Sequence, residues 1–322
     1  MSSSPSRVES TLPSSRPSIT IDSDAIRATQ RRMALVTILV PFLGTVAAIV
    51  LAFMYGIGLM EIGLLIAMYL LTSLGIEFGF HRHFAHRSFE TKPWISVVFA
   101  IFGSMAAEGS VLYWAAGHRR HHAHSDTEND PHSPHVRNLA SSEEKLSLIR
   151  GLWHSHVGWM MSDKVTNCTF FAKDIVRSPV LNRIHQLYVP LVIAGLVLPG
   201  VVGGLITFSW MGALNGFLWG GLVRMFLVHH STWSNASFSH VYGGRPFDAG
   251  DVSANNIWCA IPTFGASWQN NHHAFPTSAY LGFEWWQIDL AGYFIRAMKA
   301  VGLVWNVKGR PSPEKMAAKR AG

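Results

Sequence analysis

The sequence predicts an all-α membrane protein with four transmembrane helices in two hairpins and its polar segments gathered on the cytosolic side. Three observations carry this prediction. Hydrophobic residues make up 49% of the 322-residue chain and charged residues 14%, against roughly 25% charged in a soluble domain. Four long runs are almost free of charge and pair around short uncharged connections. And the histidines are clustered where apolar runs meet polar ones.

The first run spans about Met33 to Ile57 and the second about Gly58 to Phe80, broken only by Glu61 and Glu77. Each is long enough to cross a hydrocarbon core of about 30 Å as a helix. The connection around Tyr55 to Leu59 is short, which predicts a tight hairpin. A second pair runs from about Leu187 to Phe208 and from Trp210 to Val228, joined near Ser209. Arg224 falls in the last turns of that fourth run, where its long side chain is expected to reach out of the membrane. The stretch from Trp94 to Ala116 is apolar but contains Gly103, Glu108 and Gly109. A full crossing there would put two histidine clusters on opposite faces, so it is read as a re-entrant or interfacial helix.

Residues 1–30 read as a disordered basic tail carrying Arg7, Arg16 and Arg27, 31–305 as the membrane domain, and 306–322 as a second basic tail. The net charge of +7 flanks the apolar runs instead of forming one basic surface. That pattern fits juxtamembrane charge better than nucleic-acid binding, and no nucleic-acid partner is expected. Both hairpin connections lack Lys and Arg, so the positive-inside rule places the termini and every histidine cluster in the cytoplasm. Cys168 and Cys259 offer no disulfide framework and no thiolate metal site.

The clusters are His81-Arg-His83-Phe-Ala-His86, His118-Arg-Arg-His121-His122 and Gln269-Asn-Asn-His272-His273. Grouped imidazoles with almost no cysteine point to iron or a similar nitrogen-liganded metal. His118, His121 and His122 stand at i, i+3 and i+4, on one helical face. His81 and His86 are five apart, about 140° around an ideal α-helix. His272 and His273 are adjacent and point apart, which suits two ions, and the number of imidazoles exceeds what one ion uses. Glu77, Asp126 and Asp130 are placed to accept the second N–H of a ligating histidine. His132, His135 and His185 are read as surface or hydrogen-bonded residues, and His83, His124, His154 and His156 as intermediate cases.

Together with Asp130-Pro-His-Ser, Ser155-His-Val-Gly-Trp159, Tyr242-Gly-Gly-Arg-Pro-Phe247 and His272-His-Ala-Phe-Pro276, these clusters resemble the membrane fatty-acyl desaturases of the stearoyl-CoA type over about residues 35 to 295. The resemblance implies a cytosolic helical cap holding a di-iron site, with two iron ions on His81, His86, His118, His121, His122, His240, His272 and His273 and no catalytic side chain beyond these ligands. His240 is singled out by the resemblance alone. Gln269 stands where the family has a further histidine, and Asn235 lies one residue from the family's asparagine position, which is Ala236 here; both are metal or outer-sphere candidates beside Glu77 and Asp126.

The implied reaction is O2-dependent insertion of a double bond into an acyl chain carried by CoA, acyl-carrier protein or phospholipid. The alternative is a lipid or hydrocarbon hydroxylase or oxygenase of the same superfamily. A metal transporter would line a path through the bilayer, whereas these clusters sit at the ends of the runs. No haem or iron–sulfur motif is visible, so a ferredoxin, rubredoxin or cytochrome b5-type donor with its reductase is implied, in a bacterial inner membrane. Trp114, Trp153, Trp159 and Trp268 are candidates to line an acyl tunnel.

Overall fold

The computed structural model describes residues 18–135 and 147–321. Arg7 and Arg16 of the basic tail lie outside the described residues.

Among the described residues, four helices are long and apolar enough to cross a membrane: α1 (Asp24–Tyr55), α2 (Leu59–Ala85), α7 (Tyr188–Thr207) and α8 (Trp210–His240). Between and after them come α3 (Pro93–Met105), α4 (Val111–His124), α5 (Leu148–His156), α6 (Pro179–Gln186), α9 (Gln269–Ala274), α10 (Leu290–Ala300) and α11 (Pro313–Ala318). The architecture is mostly helical. It also contains two antiparallel pairs of two-residue strands: β1 (Thr20–Ile21) with β3 (Val165–Thr166), and β2 (Glu90–Thr91) with β4 (Val304–Trp305). Helix α1 starts at Asp24, so residues 24–30 are helical where the sequence suggested a disordered tail.

The spans meet through small residues. In α1 the buried positions are Ala34, Pro41, Gly44 and Ala48, while Leu43 and Phe53 face outward. Close helix approach in lipid depends on such small residues, because apolar burial gives no net drive there. A Cβ on Gly44 would lie 2.3 Å from Leu222 Cδ1. Helix α1 thus packs chiefly on α8 and not on α2, so the first pair is splayed around the fourth span. Helices α7 and α8 approach more closely still, with Gly203 and Gly216 against the opposing backbone.

Arg224 corrects the sequence expectation. It is fully buried, and its guanidinium donates to the carbonyls of Gly220, Met105 and Gly195 at 3.2, 2.9 and 2.8 Å. Three carbonyl acceptors replace the water that an outward-reaching side chain would have found.

The stretch read as a single helix from 94 to 116 is two helices, α3 and α4. Between them Ala107 (φ 64°) and Gly109 (φ 105°) take left-handed conformations. Ser110 then caps α4 by accepting from the Tyr113 amide.

Two spans carry π-helical turns, Gly75–Ala85 in α2 and Phe217–Val223 in α8. Such turns are rare and often lie at functional sites.

Candidate metal centre

The π-helical end of α2 resolves the awkward five-residue spacing of its histidines. In an i→i+5 winding, residue i+5 returns almost above residue i. The His86 amide donates to the His81 carbonyl at 3.0 Å, and the two rings are 5.0 Å apart. Arg119 clamps the free carbonyls at this terminus, donating to Phe84 and Ala85 and to both oxygens of Asp174. Arg82 faces the other way into a buried bidentate pair with Asp289 at 3.0 and 2.7 Å.

Four elements converge on two groups of imidazoles. In the first, His81 and His272 approach Nε2 to Nε2 at 3.0 Å, His86 and His118 at 2.7 Å, His118 and His122 at 3.1 Å, and His122 and His272 at 2.8 Å. In the second, ring nitrogens of His121, His240 and His273 lie within 4.8 Å of one another. His272 and His273 therefore fall in different groups, as do His121 and His122. Gln269 and Asn235 line a cavity of about 110 Å³ together with His81, His118 and His121.

Carboxylates fix the ring orientations. Glu77 accepts from His81 Nδ1 at 2.8 Å, and Asp126 from His240 Nδ1 at 3.0 Å. Asp130 takes His121 Nδ1 at 3.0 Å, and Asp251 takes His273 Nδ1 at 2.5 Å. Such partners set the tautomer, leaving Nε2 free as the donor atom, and raise its basicity. Asp251 had no signal in the sequence, because it lies 22 residues from His273 with no motif linking them. His132, read as a surface or hydrogen-bonded residue, is half-buried with its ring 4.4 Å from His121 and Nδ1 3.7 Å from Asp130.

Burial dominates the electrostatics. Removal from water, and then neighbouring imidazoles, hold His86, His118, His122 and His272 well below the ordinary histidine pKa. They stay neutral, the form that binds metal. His273 is pushed down to about 4, again chiefly by burial. Burial would lower His121 too, but Asp130 outweighs it and leaves His121 raised. Burial pushes Asp126 up, yet His240 and Ser133 overcome this and hold it at about 2.

The donor set fits a pair of metal ions. The Nε2 atoms of His240 and His273, the Gln269 Oε1 and the Asn235 Oδ1 are all buried without a hydrogen-bond partner. Orphaned buried donors and acceptors are costly unless something outside the protein satisfies them. Nitrogen-rich donors without thiolate suit iron.

Several other histidines serve the frame. His83 bonds Ser96, His156 pairs with His230, His185 bonds Ser110, and His135 donates to the His240 carbonyl. Trp114 and Trp159 line the cavity, whereas Trp153 is 69% exposed and Trp268 lines a separate surface groove. An apolar cavity of about 440 Å³ adjoins the site and shares Glu108, Tyr113, Trp159, Thr166 and Trp233 with it.

The family model described as "Fatty acid desaturase" matches residues 59–307, which include every histidine of both groups. The chain belongs to the fatty acid desaturase family. It is 46% identical over 301 residues to the hex-5-enoyl-[acyl-carrier protein] acetylenase of Moorena producens (strain JHB), covering 94% of this chain and 93% of that protein. It is 35% identical over 251 residues to the sn-1 stearoyl-lipid 9-desaturase of Anabaena variabilis, covering 77% and 84% respectively. With the icosanoyl-CoA 5-desaturase of Limnanthes douglasii the identity is 33% over 235 residues, covering 73% and 61%. The protein is thus a fatty-acyl desaturase, an oxidoreductase of fatty-acid metabolism and an integral membrane protein.

Proposed function

We propose that this desaturase binds two iron ions and removes two hydrogens from an unactivated stretch of acyl chain, with O2 reduced to water. The observation that carries the reading is the convergence of eight imidazoles into two groups beside an apolar cavity. His81, His86, His118, His122 and His272 would hold one ion and His121, His240 and His273 the other. Alkane C–H bonds are beyond the reach of protein acid–base groups, so the bound iron supplies the activation of oxygen. The protein's own share is positioning. Glu77, Asp126, Asp130 and Asp251 hold the imidazoles in one tautomer, and Arg82 and Arg119 anchor the helix end that carries two of them. The apolar cavity excludes water and fixes which carbons pass the site. Burial raises the Glu108 carboxyl well above its usual pKa, so it puts no charge into a space meant for an alkyl chain.

The spans are read as two helical pairs in a bacterial inner membrane, with the site in a helical cap on the cytoplasmic side. The uncharged connections at 56–58 and 208–209 support this orientation. Electrons come from a separate ferredoxin, rubredoxin or cytochrome b5-type donor with its reductase. The acyl carrier is CoA, acyl-carrier protein or a membrane lipid. The 46% identity to an acetylenase over nearly the whole chain favours a second reading, in which an existing double bond on a carrier-protein-bound chain becomes a triple bond.

Expression in a host without desaturases, followed by mass spectrometry of lipids and acyl carriers, tests these readings. Loss of two hydrogens from a saturated chain supports the first, and the same loss only from an alkenyl chain supports the second. Gain of an oxygen atom would replace both with hydroxylation. His272→Ala and His121→Ala are each expected to abolish product and lower bound iron, and full activity in both would refute the ligand assignment.

A further inference from the structure

The two groups differ in more than their histidine count. Of the five imidazoles in the first, only His81 has a carboxylate on its Nδ1 among the described residues; the Nδ1 of His272 is buried without a partner. In the second, all three are backed by carboxylates: His121 by Asp130, His240 by Asp126 and His273 by Asp251. These carboxylates are themselves pinned. Asp126 accepts from Ser133 and the Val252 amide, Asp130 from the Asp126 amide, and Asp251 from Ser253.

Unsatisfied oxygens also face the site. Gln269 Oε1 and Asn235 Oδ1 are buried, lack partners and line one cavity with His121 of the second group and His81 and His118 of the first. Gln269 precedes His272 and His273 by three and four residues on α9, as His118 precedes His121 and His122 on α4. An amide oxygen therefore stands where the other helix presents an imidazole. Oxygen is the harder donor, and a carboxylate behind each ring raises ligand basicity and adds negative charge close to the ion.

We propose that the second ion is held by His121, His240 and His273, completed by the amide oxygens of Gln269 and Asn235, and that this oxygen-rich, three-carboxylate setting makes it the more readily oxidised of the two. This inference rests on the two-iron reading above. In the corresponding redox step, one ferrous ion at this position gives one electron to an added one-electron acceptor. Ferricyanide serves, being reduced to ferrocyanide.

The test uses the full-length protein in detergent, loaded anaerobically with 57Fe and examined by Mössbauer spectroscopy. Two distinct ferrous doublets of equal area are expected. One equivalent of ferricyanide should convert one doublet alone to a ferric signal. Gln269→His and Asp251→Asn should alter that doublet and leave the other unchanged, while Glu77→Gln should do the reverse. The size-exclusion profile checks that the variants fold, excess iron is used to load those with weakened binding, and Asn235→Ala gives a second, independent perturbation. A single doublet for both ions would overturn the inference, as would equal partial oxidation of both or variants of the two groups shifting the same signal. Failure of the underlying reading looks different, because the wild type would then bind no iron.

Discussion

A buried histidine binds metal only if it is neutral, aimed by its second nitrogen and surrounded by others doing the same. His273 is kept neutral chiefly by burial and is aimed by Asp251, which accepts its Nδ1–H and leaves Nε2 free. Substituting an outer carboxylate of this kind typically costs 10- to 100-fold in metal affinity. Asp251→Asn is therefore expected to weaken iron binding about 10- to 100-fold without unfolding the protein. Competition with a chromogenic chelator would measure it, and unchanged affinity would show that Asp251 does not support the ligand. At this scale much of the site was legible in the sequence. The i, i+3, i+4 pattern of His118, His121 and His122 places them on one helical face, and Glu77 stands one turn before His81. Asp251 was not legible, because it is brought to His273 only by folding.

Helix winding decides whether His81 and His86 can act together. The sequence spacing suggested poor alignment on an α-helix, and only the π-helical turns of Gly75–Ala85 remove the conflict. Nothing in the local residue pattern announces a π-helix; it is imposed by packing against α3. Gly75 sits at that contact, where a Cβ would lie 2.2 Å from the Gly103 amide nitrogen and 2.4 Å from the Phe102 carbonyl carbon. Backbone cannot step aside as a side chain can, so Gly75→Ala should destabilise by about 1–3 kcal/mol. Iron occupancy should drop as well, because His81 and His86 ride on the displaced turns. Gly63→Ala is the control: no atom lies within 4 Å of its added Cβ, and alanine is the better helix former by roughly 1 kcal/mol. Thermal unfolding in detergent with iron analysis separates them, and equal behaviour of the two variants would contradict the packing argument. The spans themselves were readable because length and lack of charge suffice to mark them. Their neighbours were not, since α1 packs on α8 through small residues whose partners the sequence does not name.

Across the whole molecule, so many buried neutral imidazoles couple metal binding, folding and pH. His86, His118, His122 and His272 lie well below the ordinary value, His273 at about 4 and His132 at about 3, all chiefly through burial. In the unfolded chain each returns to about 6.5. Above that pH neither state binds the proton and nothing is lost; below it the unfolded chain gains protons that the folded chain refuses, so stability falls as pH drops. His121 has the opposite sign, its raised value adding stability in acid, but it is one group against six. The depressed carboxylates, Asp126 among them, lose their contribution only below about 3.8, outside this window. The metal-free protein is therefore expected to lose stability between pH 7.5 and 5.5, by on the order of 1 kcal/mol per imidazole. Iron held by His86, His118, His122 and His272 should largely survive the same shift, because protons compete for these ligands only near their low folded values. A site of solvent-exposed histidines, protonated near 6.5, would release its metal. Unfolding temperatures of the metal-free protein at the two pH values, with iron retained after dialysis at pH 5.5, decide the matter. A metal-free unfolding temperature that does not change with pH would mean the imidazoles are not buried neutral groups.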